Sequence, residues 1–156
     1  DFCPGATEGE TMPDLLETLI ENRWMVQPNH ANNLNTAHGG NVMKWMDEVG
    51  AMSAMHFSGE TCVTAHMDEV NFKRPIRVGD IALVKSYVYR AGDHSVRVRT
   101  RVFRENPGKT ETELTTESYM VYVAIDEDRN TTSVPELTVG SERAERLRDE
   151  ALADAP

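Results

Sequence analysis

Along residues 96–103, Val96, Val98, Thr100 and Val102 alternate with Arg97, Arg99, Arg101 and Phe103. That period of two predicts a strand with one face for a core and one charged face for solvent or a partner chain. Strand-like runs at 16–27, 61–73, 80–90, 95–105 and 113–125 follow the same logic. The first is the least regular: Leu15, Leu16, Leu19 and Ile20 suit a helix, whereas Trp24, Met25 and Val26 look extended. Turn chemistry separates the later runs, at Pro75, Gly79-Asp80, Gly92-Asp93 and Asn106-Pro107-Gly108. The last two separators are short enough for hairpins, so the strands they join should be antiparallel neighbours.

Residues 40–56 break this pattern. Val42, Met46 and Val49 share one helical face, but Met43, Trp45, Met52, Ala54 and Met55 spread the apolar surface well beyond a single stripe. Such a helix has to be wrapped, and the expected fold is α+β: an antiparallel sheet curled around one long central helix. A second helix is expected over about 141–153, charged and peripheral, opened by Ser141 as N-cap with acids in its first turns. Residues 1–13 lack periodicity and are expected to form a tail. The domain proper then covers 14–126, and 127–156 form an acidic extension.

With 156 residues, 39% of them apolar, the chain can build one core. No run approaches the roughly 18 apolar residues of a membrane span, and no basic-then-apolar segment opens the chain. Neither membrane insertion nor signal-directed secretion is expected. Cys3 and Cys62 do not make a disulfide framework, which points to a reducing cytoplasm. They also exclude a cysteine-based zinc site, and the five histidines show no paired ligand spacing. No metal is expected.

The net charge of −10 is unevenly placed. Residues 1–22 carry six acids and no base, residues 126–156 nine acids and four arginines, and the middle 11 acids against 12 bases. An acidic envelope around a slightly basic middle argues against nucleic-acid binding, yet leaves room for a polyanionic small molecule. Twelve arginines against four lysines, with 26 acids, also resemble the composition of proteins from a high-salt cytoplasm.

Between the first strand and the central helix runs Pro28-Asn29-His30-Ala31-Asn32-Asn33-Leu34-Asn35-Thr36-Ala37-His38-Gly39-Gly40, a polar loop whose length alone makes it a functional candidate. Three stretches in order, Ala31-Asn32-x5-His38-Gly39-Gly40-x6-Asp47-Glu48-x-Gly50, Val70-Asn71-Phe72-x-Arg74-Pro75-x-x-Val78-Gly79-Asp80 and His94-Ser95-Val96, resemble the acyl-CoA thioester hydrolases of the hotdog fold. The likeness is to the branch of the brain-type cytosolic acyl-CoA hydrolase and the bacterial broad-range acyl-CoA thioesterases, and it covers roughly residues 15–125. It implies homodimers with a continuous sheet, commonly assembled as hexameric trimers of dimers, with active sites at the dimer interface. It implies fatty acid metabolism as the setting and acyl-CoA as substrate, with no cofactor beyond the coenzyme A of substrate and product. The catalytic pair it implies is a loop Asn and a helix acid, here Asn32 and Asp47.

Thioester hydrolysis needs an activated water, a donor for the carbonyl oxygen as it becomes an oxyanion, and an acyl pocket. Gly39 and Gly40 allow close approach to the helix N-terminus, whose first amides are donors reinforced by the helix dipole. The expected oxyanion donor is the Gly40 amide, with Asn41 next. Asp47 lies seven residues beyond Gly40, about 10 Å along the axis. A carboxylate cannot span that gap, so an Asp47 from a second, oppositely directed helix is the better partner. Asp47 would serve as general base, or as nucleophile through an anhydride, while Asn32 orients water or thioester. The chain that donates Asn32 is left open.

For coenzyme A, Arg74 beside the Pro75 bend is the leading candidate, with Arg90 and the His94-Ser95 turn behind it. Met43, Trp45 and Met46 are expected to line the acyl pocket. Glu48, about 100° round the helix from Asp47, is read as structural, as are His30, His38 and Cys62. Two other roles suit this fold: a non-catalytic acyl-CoA sensor and an enoyl-CoA hydratase or dehydratase. The sensor usually carries a basic DNA-binding segment and the hydratase an Asp and His pair in the loop, and neither is evident.

Overall fold

The computed structural model describes residues 12–156, so the expected tail falls almost entirely outside the described residues. Pro13, its last member, is tied down: its carbonyl accepts from the Thr138 amide at 3.0 Å. The strands are β1 (Ile20–Met25), β2 (Thr61–Met67), β3 (Asn71–Phe72), β4 (Ile81–Ala91), β5 (Ser95–Glu105) and β6 (Thr112–Ile125), and the helices are α1 (Gly39–Ser58) and α2 (Glu142–Asp154). They form one antiparallel sheet in the order β1-β4-β5-β6-β2, with β3 also on β6, curled around α1. The hotdog architecture expected from periodicity and resemblance is the one found.

The alternation in β5 works as read. Val96, Val98, Thr100 and Val102 are fully buried, and the first two pack with Ala54 and Phe57 of α1. A neighbouring cluster joins Val42, Trp45, Met46 and Val49 to Ala82, Val84 and Val102. The helix is therefore core on most of its circumference. It starts at His38, whose ring accepts from the Gly40 amide, and stops at Gly59, whose φ of 70° is the left-handed conformation that ends helices.

Two strands depart from expectation. The run 16–27 is a 3₁₀ turn, Leu15–Thr18, followed by a shorter strand. Asp14 caps the turn by accepting from the Leu16 amide, and the Thr18 carbonyl accepts from Ser53 of α1, so local capping outcompetes strand pairing there. The run 61–73 splits at 68–70 because Asp68 turns to bond β6 and β3 resumes on the same neighbour.

The charged face of β5 is covered from within the chain. α2 lies on the outer side of the sheet, burying Ala144 and Ala151 against Tyr87, Tyr89 and Tyr119. Arg99, only 7% exposed along its side chain, donates to Tyr87 Oη at 3.0 Å and sits within 4 Å of Glu117, Glu150 and Asp154. Among the described residues, Arg99 thus meets three acids of its own chain.

Candidate active site

The polar loop is folded around Asn32. Its side-chain oxygen accepts from the Leu34 amide at 2.9 Å and from the Thr36 amide and hydroxyl at 3.2 Å, closing an Asx-type turn. The oxygen is consumed by the loop, which leaves the Nδ2 hydrogens as the chemically useful half of the amide. The loop is fastened to the start of α1 by the His30 carbonyl, which accepts from the His38 amide at 2.8 Å and from Asn41 Nδ2 at 3.1 Å. His30 itself accepts from the Gln27 amide through Nδ1 and packs edge-on against Trp45, a structural role.

A cavity of about 360 Å³ opens beside this helix start. Thr36, Gly39, Val42 and Phe72 line it together with Lys73 and Arg74. Apolar walls with two cations suit an acyl chain or pantetheine next to phosphates. Arg74 is 63% exposed along its side chain, which keeps it open to a ligand, although its Nε already lies 3.6 Å from a Glu113 carboxylate oxygen.

The amides at the helix start are more engaged than the sequence implies. Gly40 donates to His38 Nδ1 at 3.0 Å, and Asn41 donates to the His38 carbonyl at 2.9 Å. Among the described residues the Gly39 amide has no acceptor. An oxyanion at this helix end would meet Gly39 directly, and Gly40 once the exposed His38 ring turns aside.

Asp47 lies two turns further on, half-buried, and is held by two hydroxyls. Thr64 of β2 donates to its Oδ1 at 2.6 Å, and Tyr122 of β6 approaches the same oxygen at 3.0 Å and the Asp47 carbonyl at 3.1 Å. Burial, followed by the adjacent Asp47 carboxylate, pushes the Tyr122 hydroxyl far above the usual tyrosine range. It is therefore a permanent donor. Neither Thr64 nor Tyr122 stands out in the sequence. Gly50 is the signal that could have led to Tyr122: a glycine inside a helix costs about 1 kcal/mol against alanine. A Cβ there would stand 2.5 Å from the Tyr122 oxygen.

Other expected residues are dispersed. Met43 is 38% exposed, one turn before Asp47, but Trp45 and Met46 are core, the former stacked on Trp24 with ring centroids 5.3 Å apart. Arg90, His94 and Ser95 lie around the β4–β5 turn, beside the C-terminal half of α1, and are not brought to the Gly39 end within one chain. His94 Nδ1 instead lies 3.2 Å from the Thr132 carbonyl. No cluster of three or more His, Cys, Asp or Glu side chains among the described residues is placed to hold a metal ion. Nor is any described helix long and apolar enough to cross a membrane.

Among the described residues the sheet has no further strand beyond β2, and most of β2 is exposed. Val63 on this strand is 43% exposed, and Met43 and Met55 of α1 are more than a third exposed. An unpaired strand edge with apolar neighbours is a surface built to be covered.

The thioesterase superfamily model matches residues 34–111. An uncharacterized acyl-CoA thioester hydrolase of Bacillus subtilis, YkhA, is 33% identical over 139 residues, which is 89% of this chain and 81% of that protein. Among solved structures, the Staphylococcus aureus acyl-CoA hydrolase in complex with butyryl-CoA, coenzyme A and coenzyme A disulfide superposes with a TM-score of 0.84 at 29% identity, covering 92% of this chain and 87% of that one. A hexameric acyl-CoA thioesterase in its apo form gives 0.83 at 33% identity, covering 90% of each chain. Further structures of the Staphylococcus aureus enzyme carry alanine in place of an asparagine, an aspartate and a threonine spaced 15 and 17 positions apart, the spacing of Asn32, Asp47 and Thr64 here. With the fold, the motif order and these spacings in agreement, the chain belongs to the hotdog-fold acyl-CoA thioester hydrolases of the thioesterase superfamily.

Proposed function

We propose that this protein hydrolyses fatty acyl-CoA to free acid and coenzyme A. Asp47 acts as general base, Asn32 donates through Nδ2 to the thioester oxygen or the attacking water, and the Gly39 and Gly40 amides receive the oxyanion. The observation that carries this reading is the Asp47 carboxylate, held on one oxygen by Thr64 and Tyr122 with the other left to take a proton. Asn32 belongs with the helix start, because its loop shares Thr36 with the cavity beside Gly39. Asp47, about 10 Å further along the same helix, completes the site of the opposite subunit. The exposed β2 edge, Val63, Met43 and Met55 form the dimer contact, and such dimers assemble further, as trimers of dimers, in the cytoplasm. Lys73 and Arg74 meet the coenzyme A phosphates of one chain's site; Arg90, His94 and Ser95 reach substrate only from a neighbouring subunit.

The test is release of free thiol from acetyl-, hexanoyl- and palmitoyl-CoA at low and high KCl, with wild type beside Asp47→Ala. Wild type is expected to turn over and Asp47→Ala to lose about two orders of magnitude or more. Tight binding of acyl-CoA with no hydrolysis by wild type would make the protein a sensor and end the enzyme reading.

A further inference from the structure

Tyr122 is fully buried, yet its hydroxyl is delivered to the one carboxylate on α1 that faces the open edge of the sheet. Three features of three elements make that delivery possible. β6 places the ring inside the sheet's concave side, α1 has Gly50 where any other residue would occupy the position of the phenol oxygen, and β2 brings Thr64 to the same Asp47 oxygen from the other side. A phenol has one proton, and here the oxygen acceptors within reach are Asp47 Oδ1 at 3.0 Å and the Asp47 backbone carbonyl at 3.1 Å, with the weaker acceptor Met120 Sδ at 3.7 Å. The ring thus registers the side chain against its own helix and fixes its rotamer.

We infer that Gly50 and Tyr122 form a positioning device for the catalytic carboxylate: with Thr64 they fix Oδ1, so that Oδ2 is the oxygen that removes the proton from water. This rests on Asp47 being the base, as proposed above. The titratable groups packed around Tyr122 and Asp47 are few. Cys62 of β2 is the other one, and burial pushes its thiol up, so it stays neutral alongside them. Glu48 and Lys44 are α1 neighbours exposed to solvent.

Steady-state kinetics on wild type, Tyr122→Phe, Gly50→Ala, the double variant and Asp47→Asn test the inference. Tyr122→Phe is expected to lower kcat about tenfold or more with KM unchanged, the size of a lost hydrogen bond to a charged group. Gly50→Ala alone should destabilise the fold or displace the ring. In the double variant the methyl group takes the space the hydroxyl vacated, its next contacts being the Tyr122 Cζ position at 3.3 Å and Thr100 Oγ1 at 3.4 Å. Its melting temperature should therefore recover while kcat stays at the Tyr122→Phe level, which no purely structural role for the pair would produce. Wild-type kcat in Tyr122→Phe or in the double variant, with Asp47→Asn inactive, would overturn the positioning device and leave Asp47 as base. An active Asp47→Asn would remove the base assignment, and the device with it.

Discussion

Mixing two inactive variants gives the sharpest test of how the site is divided. Asn32→Ala removes the proposed amide donor in the loop before α1, and Asp47→Ala removes the proposed base, seven residues and about 10 Å along the helix axis beyond Gly40. In a two-fold dimer with crossed sites, a mixed pair holds one site with both residues intact and one with both lost. Equal amounts with free exchange give about half mixed dimers, so about a quarter of wild-type activity should return. If both residues of a site came from one chain, no mixed dimer would contain an intact site and activity would stay at the level of the separate variants. The assay is thiol release from a mixture of differently tagged chains, after capture through both tags has shown that subunits exchanged. Mixed dimers isolated in this way and still inactive would refute the crossed arrangement. They would also require the loop around Asn32 to reach Asp47 of its own chain, against the anchoring of that loop by His30 at the helix start.

Arg99→Met keeps the aliphatic stem but removes a nearly buried guanidinium bonded to Tyr87 and facing three acids; unfolding in urea should show a loss of about 2 kcal/mol. Faster proteolysis ahead of Glu142 should accompany it, and an unchanged midpoint would mean that apolar contacts alone hold α2. Gly59→Ala forces a side chain into φ 70° with open space around it, so a cost of about 1 kcal/mol in the same experiment measures backbone strain alone. Stability should also fall on the alkaline side. Burial raises Tyr87, Tyr89 and Tyr122 and pushes Tyr119 up to about 12, so above pH 10 the unfolded chain releases phenolic protons that the folded chain retains. Unfolding is then increasingly favoured as pH rises from 10 towards 12; a melting temperature that is flat across this window would contradict the burial of these rings.

Local patterns predicted the fold well where one interaction dominates. β5 alternates because one face meets α1, and α1 is apolar on several sides because the sheet curls round it; both facts are written in consecutive residues. The run 16–27 predicts a longer strand than the one found because Leu15 and Leu16 are apolar for a different reason, a 3₁₀ turn capped by Asp14 that packs against the outer face and α2. At the site, Asn32 and Asp47 could be picked out because they sit in a short motif at fixed spacing. Thr64 and Tyr122 could not, since their importance comes from pairing between β2 and β6 and is invisible until those strands meet over the helix. Gly50 was part of the motif, but its reason is a phenol 72 positions away.

The stacked pair Trp24 and Trp45 has an optical consequence. They are the only tryptophans in the chain, their rings lie 5.3 Å apart and within 10° of parallel, and the imidazole of His30 stands edge-on to one of them. All intrinsic indole emission therefore originates beside the loop that carries Asn32. Any displacement of that loop would alter the imidazole–indole contact and shift the fluorescence. The protein thus carries its own label, and stopped-flow emission without any added dye would time a displacement of the loop separately from any release of free thiol.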